Sequence, residues 1–382
     1  MKTLAIAVNN PRFFLTNRLT FAKGVRDHGY RVVVLCPEGP DCEEIKKLGF
    51  EVQNIFLNRK SISPLAEIKT VLSFWRQLKA LQPDIFHGFT VKCVLYGALV
   101  CRLLKVPKIV VTVTGLGTVF LMRSLLGSTL RRCIGLMYRF ICRGGVKVIF
   151  QNGDDLELFT RNGWVKPADA HLIRGTGINV EEFSATPIPE GAMTKVLFPS
   201  RVLKDKGINE LVAACEMLAA EGLKFKLQIC GGLDKDSRST FSQEEIDRLC
   251  KLPFIEWLGH RKDMPYVFAN SHIVCLPSYR EGIPLALIEA CSAGRPIITT
   301  DVPGCREVVT TGINGILVPV RSADAIKNAL MNLMRSPELQ EKWGRNGRKK
   351  ALELFDLKVT LQQNLAVYGE ASAPKWVEQR AS

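Results

Sequence analysis

The 382-residue chain contains no uninterrupted apolar run of about 18 residues, so no membrane-spanning helix is expected. None of its 12 cysteines forms a Cys-x-x-Cys pair, and metal-ligand spacing is absent. A chain this long can bury its own core without a disulfide framework, so the cysteines are expected to be reduced and mostly buried, as in a cytoplasmic protein. Low-complexity segments and repeats at solenoid periods are lacking as well. The opening MKTLAIAVNNPRFF has one lysine and a short, quickly interrupted apolar run, which reads as a first buried strand and not as a signal peptide.

Acidic residues are missing from one long stretch. Between Asp84 and Asp154 there is no Asp or Glu, whereas ten Lys or Arg occur. Residues 1–150 hold 23 Lys and Arg against eight Asp and Glu, and the remainder holds 29 of each. The whole net charge of +15 therefore lies in the first part of the chain. Such placement points to an anionic partner for that half, a polyanion or an anionic surface.

What is present is an alternation of strands and helices. TLAIAV, YRVVVLC, EVQNIF, DIFHGF, KIVVTVTG and VKVIFQN read as strands separated by helices, and KVLFPSR, FKLQICG, FIEWLG, HIVCLPS, PIITTD and GILVP repeat the pattern. This predicts an α/β protein of two doubly wound, Rossmann-like parallel sheets. The Pro-containing, aperiodic 179–194 reads as a linker between a domain over 1–178 and one over 195–354, with 355–382 packing back on the first. Ligands of such sheets lie beyond the carboxyl ends of the strands.

The most informative stretch is PSYREGIPLALIEACSAGRPIITTDVPGCREVV, residues 277–309. Glu281 and Glu289 stand eight residues apart, the first in a strand-to-helix turn and the second about a turn into the helix. Unpaired amides at such a helix start suit a phosphate, and carboxylates beside them can accept hydrogen bonds from sugar hydroxyls. The same residues are also compatible with ordinary scaffolding, since turn carboxylates often merely cap helices. Arg201, after KVLFPS, and Lys206-Gly207 place two cations at another strand end, where charge-assisted bonds to a diphosphate contribute roughly 1.5–3 kcal/mol each. Gly231-Gly232, Gly259-His260-Arg261 and Ser278 to Gly282 mark three further strand ends at which glycine permits close approach to a ligand.

With these motifs in place, the chain resembles the retaining glycosyltransferases of family 4, which have the GT-B fold of two domains facing a cleft. Arg201 and Lys206 match that family's diphosphate-binding pair, and Glu281 with Glu289 matches its E-x7-E motif. The resemblance implies that Glu281 contacts the donor sugar and Glu289 the ribose. It places the backbone of Gly282, Ile283, Pro284 and Leu285, with Ser278, Gly231 and Gly232, around the donor. FFLTNRL, VTGLGTVF, VIFQNGDDLELF, RGTGINVEEF and TTGINGILVP extend the likeness to the subgroup that elongates undecaprenyl-diphosphate-linked sugars in bacterial glycan, capsule or O-antigen assembly, similar to N-acetylgalactosaminyltransferases. It implies a nucleotide-sugar donor, expected to be UDP-linked, that supplies a hexose or N-acetylhexosamine without a cofactor. Arg18, His87, Lys92, Thr114 and Gly115 are then the acceptor-side candidates, and His87 joins Arg201, Lys206 and Glu281 as a catalytic candidate.

His87 can equally be a capping or packing histidine. Thr114 stands where many family members carry a histidine, and a threonine cannot serve as a base near neutral pH. Asp234-Lys235-Asp236 has the form of a DxD metal motif but the composition of a solvated turn, so no metal is expected. The basic segment Leu121–Arg143 places Leu126, Leu130, Cys133, Ile134, Met137 and Ile141 at helical spacing, with Arg132, Arg139 and Arg143 on another face. That pattern suits an interfacial helix on anionic lipid and hence a peripheral location on the inner face of the cytoplasmic membrane.

Other readings remain open at this point. A nucleic-acid-binding protein fits the charge, yet no aromatic platform interleaves the basic region, so no nucleic acid is expected. Gly115-Leu116-Gly117 begins an incomplete dinucleotide fingerprint. A GT-B epimerase or phosphorylase would share the donor site.

Overall fold

The computed structural model describes residues 1–58, 63–115, 125–191, 193–233, 237 and 239–370. The chain divides into two compact units, Met1–Gly177 with the segment from Leu357, and Ile178–Asp356.

In the first unit the strands are β1 (Thr3–Ala7), β2 (Arg31–Cys36), β3 (Glu51–Asn54), β4 (Ile85–Phe89), β5 (Lys108–Val113), β6 (Lys147–Phe150) and β7 (Ala170–Leu172). They form one parallel sheet in the order β3-β2-β1-β4-β5-β6-β7. Helices α1 (Pro11–Asn17), α2 (Leu19–Asp27), α3 (Asp41–Lys47), α4 (Pro64–Leu81), α5 (Ala98–Leu103), α6 (Leu125–Ile141) and α7 (Gly153–Arg161) make the crossovers. Near-continuous apolar strands such as RVVVLC are what a sheet covered on both faces demands. Alternation sorts them: Leu4 and Ile6 of β1 enter one core, while Ala5 and Ala7 enter the other. Helix α1 starts where Asn10 accepts a hydrogen bond from the Arg12 amide and Pro11 occupies the first turn. The helix expected over Val91–Leu104 begins as a π-helical turn, Cys93–Gly97, before α5.

The second unit repeats the plan. Strands β8 (Thr194–Phe198), β9 (Phe225–Cys230), β10 (Ile255–Gly259), β11 (Ile273–Leu276), β12 (Ile297–Thr300) and β13 (Gly315–Val318) lie parallel in the order β10-β9-β8-β11-β12-β13. Their crossovers are α8 (Ile208–Ala220), α9 (Gln243–Cys250), α10 (Met264–Ala269), α11 (Leu285–Ser292) and α12 (Pro303–Val308), followed by α13 (Ala323–Met334) and α14 (Pro337–Leu354). A capping box between Ser242 and Glu245 starts α9.

The stretch 179–194, expected as a linker, is part of this second unit. The fully buried Arg295 donates to the carbonyls of Pro187 and Thr186 at 3.1 Å, and Arg348 donates to those of Val180 and Phe183 at 2.7 and 3.0 Å. Two arginines remote in sequence thus take up the backbone acceptors of a segment that has no periodicity of its own.

After Asp356 the chain re-enters the first unit as α15 (Leu357–Tyr368), which packs against α2 and β5. Leu361 and Leu365 join the core beside Leu4 and Ile6. The hydroxyl of Tyr368 lies 2.6 Å from His87 Nδ1, and His87 Nε2 lies 2.7 Å from Thr112 Oγ1, so a buried polar chain links the last helix to β4 and β5. Tyr368→Phe leaves a ring nitrogen of the buried His87 unpaired and is expected to lower unfolding free energy by about 1–3 kcal/mol, read by urea denaturation.

Candidate functional site

In the second sheet the strand order reverses between β8 and β11, and the chain leaves these neighbours in opposite directions. Arg201 follows β8, and 277–284 follows β11, so both fall at the switch point. Gly207 leads into α8 at φ +74°, where a Cβ would come within 2.0 Å of the Pro277 carbonyl. Glycine therefore lets the two strand exits touch. The Tyr279 amide donates to the Asp205 carbonyl at 2.9 Å, and the Tyr279 hydroxyl donates to Glu210 at 2.6 Å. The Thr300 hydroxyl donates to the Ser278 carbonyl. The loop is held from three sides.

Two of the sequence candidates meet directly. Lys206 Nζ donates to Glu281 Oε1 at 2.6 Å, and the buried Ser278 hydroxyl donates to the same oxygen at 2.7 Å. Both charged side chains are largely covered, at 16% and 13% exposure, so their mutual field is poorly screened. Glu281 Oε2 makes no bond among the described residues. Arg201 is exposed at the mouth of β8.

Helix α11 begins at Leu285 without a capping side chain or an acidic residue in its first turn. The Leu287 amide bonds the Pro284 carbonyl at 3.0 Å, which leaves the Leu285 and Ala286 amides as its orphan donors. Gly282, Ile283, Pro284 and Leu285 thus form the helix entrance that the sequence pattern anticipates. Glu289, on the same helix, is half-buried with no hydrogen bond among the described residues. Desolvation, helped by the charge of Glu182, pushes its carboxyl up to about 7. A buried carboxylate left without a donor is prepared for an external one.

The glycines after β9 divide. A Cβ on Gly231 would come within 1.8 Å of the Ser200 carbonyl, so this glycine makes room for the protein's own backbone beside Arg201, whereas a Cβ on Gly232 would meet only His260, at an ordinary 4.0 Å. Arg261 is engaged by Asp263 at 2.7 Å. Asp234, Lys235 and Asp236 lie outside the described residues, and no cluster of His, Cys, Asp and Glu able to hold a metal occurs among the described ones.

In the first unit the acceptor candidates separate. His87 is fully buried, stacked on Phe89 at 4.0 Å between ring centroids, with both nitrogens engaged. Burial and the Arg18 charge hold it well below the usual histidine range, hence neutral. The expectation that His87 acts on substrate is overturned: its ring reaches no solvent, and its geometry fixes Thr112 and Tyr368. Lys92 is not a free cation either, since Nζ donates to Glu67 at 2.6 Å and to the Asn58 carbonyl at 2.8 Å. Thr114 and Gly115 follow β5 half-buried, Gly115 at φ +133°. Residues 116–124, which include Gly117 and the rest of that motif, lie outside the described residues.

Arg18 is the outlier. Only 4% exposed, it stacks its guanidinium 4.0 Å from the Phe89 ring centroid, and Nε has no hydrogen-bond partner among the described residues. Desolvation lowers its pKa to about 9, so it remains charged at neutral pH without a carboxylate beside it.

Helix α6 turns differently from the pattern expected of it. Gly135, Tyr138 and Ile141 face the core, with Gly135 tight against Trp164, while Leu136, Met137 and Phe140 point outward beside the exposed Arg132, Arg139 and Arg143. Met137 shares the outer face, as an interfacial reading of the apolar stripe expects, whereas Ile141 of the same stripe is buried, and Gly135 permits the close approach to Trp164 that sets the helix rotation. Arg102 lies over the Phe140 ring at 5.5 Å, and the neighbouring Leu103 is 60% exposed.

Sequence reasoning missed Tyr368 and Asn364, which reach the first unit's site from the far end of the chain, and also missed Tyr279 with Glu210 as loop supports. No local pattern marks them. Pairing at a separation of 281 residues is visible only in the fold.

The family model described as "Glycosyl transferases group 1" matches residues 181–350, and the one described as "Glycosyl transferase 4-like" matches 4–152. The chain is 26% identical to a Campylobacter jejuni N,N'-diacetylbacillosaminyl-diphospho-undecaprenol α-1,3-N-acetylgalactosaminyltransferase, covering 92% of this chain and 94% of that protein. It is 25% identical to an Escherichia coli UDP-Gal:α-D-GlcNAc-diphosphoundecaprenol α-1,3-galactosyltransferase over 78% of each. Among solved structures, Anabaena HepE in complex with UDP and glucose superposes with a TM-score of 0.78 at 17% identity, covering 97% of this chain and all of that one.

The raised Glu289 carboxyl makes stability depend on pH. Between about 4.5 and 7 the folded state binds the proton that the unfolded state has lost, so stability falls as pH rises through that window. Glu289→Gln removes this component. Urea midpoints measured across the window should decline less in the variant than in the parent chain.

Proposed function

Because the chain belongs to the glycosyltransferases and has the GT-B fold, we propose that it transfers a hexose or N-acetylhexosamine from a nucleotide-sugar, UDP-linked, to a sugar carried on undecaprenyl diphosphate in bacterial glycan assembly. The observation that carries this reading is the switch-point cluster of the second unit. There, one carboxylate is shared between Lys206 and Ser278, and, among the described residues, a second on α11 has no donor and the first amides of that helix have no acceptor. Orphan amides and cations suit a diphosphate, and the two carboxylates suit the hydroxyls of a sugar and a ribose. The undecaprenyl-diphosphate-linked substrates of the Campylobacter and Escherichia relatives suggest the acceptor class.

In this reading the second unit holds the donor and the first unit the acceptor. Glu289 accepts from the ribose, and Glu281 orients the transferred sugar through its free oxygen. As the bond from the anomeric carbon to the diphosphate breaks, negative charge collects on the departing phosphate. Lys206, already fixed by Glu281, stabilises that charge together with Arg201 and the α11 amides. Transfer is with retention: the acceptor hydroxyl attacks the face the diphosphate leaves, and its proton passes to a departing phosphate oxygen. His87 has no chemical role in this scheme.

The outward face of α6 supports attachment to an anionic membrane surface. Leu136 and Phe140 are 62% and 57% exposed with arginines around them, an apolar wedge with a cationic collar. No helix among the described residues is long and apolar enough to cross a membrane, so contact through this face would be peripheral, on the side where nucleotide-sugars are made.

Incubation with UDP-sugars and an undecaprenyl-diphosphate-linked monosaccharide should release UDP and yield a lipid-linked disaccharide with an α linkage, undiminished by EDTA. UDP release that does not depend on the acceptor, or no nucleotide binding by folded protein, would sink the reading. Lys206→Ala should cut turnover at saturating donor by roughly 10²–10³-fold, whereas Glu289→Ala should mainly weaken UDP binding, by about tenfold. Equal loss of binding in both, with turnover intact, contradicts this division of labour. For the membrane, Leu136→Ser with Phe140→Ser should abolish flotation with anionic vesicles and leave UDP binding unchanged.

A further inference from the structure

The buried Arg18 guanidinium lines a recess at the carboxyl ends of the first sheet, together with Phe21, Phe89, Thr112, Thr176 and Asn364. About 10 Å³ is free inside, room for one water-sized group such as a single phosphate oxygen. A charged group taken out of water normally carries its counter-ion with it. Among the described residues Arg18 has none: no carboxylate is paired with it, and Nε is buried without an acceptor. Phe89 stacks on one guanidinium face and leaves the planar edge, with its donors, unused.

The neighbouring polar chain adds a donor to the same place. If Tyr368 donates to His87 Nδ1, Nε2–H donates to the Thr112 oxygen, and the Thr112 hydroxyl proton is left for the recess. The opposite tautomer strands the Tyr368 proton in the core, where the described residues offer it no second acceptor. The first arrangement gives both the Tyr368 proton and the His87 proton an acceptor and turns the one remaining proton of the chain, that of Thr112, toward the recess. Aromatic faces, a cation and a hydroxyl proton, with no anion of the protein's own, amount to a socket for an oxyanion.

We propose that the Arg18 recess receives one phosphate oxygen of the acceptor's diphosphate, with Arg18 and Thr112 as its donors. This identifies the part of the acceptor bound in the first unit, and it rests on the reading that the acceptor is diphosphate-linked. The same chemistry would admit free phosphate or pyrophosphate, and the measurements separate these sources.

The test is steady-state kinetics of the full chain with lipid-linked acceptor, alongside calorimetry with inorganic pyrophosphate and with UDP. Arg18→Met should raise the acceptor KM at least tenfold while UDP affinity stays within twofold. Pyrophosphate should compete with the acceptor in the parent chain and lose that competition in the variant. Arg18→Lys, which keeps the charge but not the planar fork, should fall between them. Should Arg18→Met not fold, Thr176→Leu narrows the recess without removing the cation and should raise acceptor KM in the same direction. An unchanged acceptor KM in the folded variants overturns the proposal. Arg18-dependent binding of pyrophosphate without any effect on acceptor KM assigns the recess to a free anion and equally overturns it. If the parent chain transfers no sugar to any diphosphate-linked acceptor, the functional reading fails first, and Arg18-dependent calorimetry then decides whether the recess binds oxyanions at all.

Discussion

Both units depend on the reversal of strand order in a parallel, doubly wound sheet. Right-handed crossovers carry the chain outward from β1 to β3 and from β8 to β10, then back across to β4 and β11. Neighbouring strands at the reversal send their loops to opposite faces, and the gap between those loops is the one place where a sheet covered on both sides leaves strand ends uncovered. The Lys206, Ser278 and Glu281 cluster lies in that gap of the second unit, and Phe89, the ring on which Arg18 stacks, ends β4 beside the corresponding gap of the first.

Lys206 of the second unit and Arg18 of the first are compensated in different ways. In the second, Lys206 is compensated by a carboxylate that a serine also holds, so the pair is stable without ligand and its geometry is already set. In the first, Arg18 is compensated by aromatic faces and a polar neighbourhood only. Glu289 is the anionic counterpart, a carboxylate desolvated without a donor. Proteins rarely leave such groups unmatched, because the desolvation cost then falls on the folded state alone. Arg295, equally buried, meets that cost by donating to carbonyls, whereas Arg18 and Glu289 have no such bonds among the described residues, which marks them as positions where a ligand would supply them.

Much of this was legible in the chain. Apolar strands alternating with helices predict two parallel sheets, because burial on both faces requires that composition. The eight-residue spacing of Glu281 and Glu289 places one in the turn and one on the helix, since strand, turn and helix in 273–292 each have local signatures. Other assignments rested on exposure, which local pattern does not carry. His87 and Lys92 have the chemistry of site residues, yet one is locked between Thr112 and Tyr368 and the other is neutralised by Glu67. The segment 179–194 looks like a linker by composition and is held by Arg295 and Arg348 from more than 100 residues away.

The sequence by itself determined the parallel α/β class, the charge asymmetry and the placement of Glu281 in a strand-to-helix turn with Glu289 on the helix that follows. Each of these follows from local periodicity, from counting, or from the short range of a strand-turn-helix step. Only the tertiary structure decided which polar side chains are free. It put Tyr368 against His87, rotated α6 about Gly135 so that Phe140 faces outward, and buried Arg18 with its Nε lacking a hydrogen-bond partner among the described residues. Desolvation and pairing are set by neighbours distant in sequence, so a side chain's availability is a property of the packed fold.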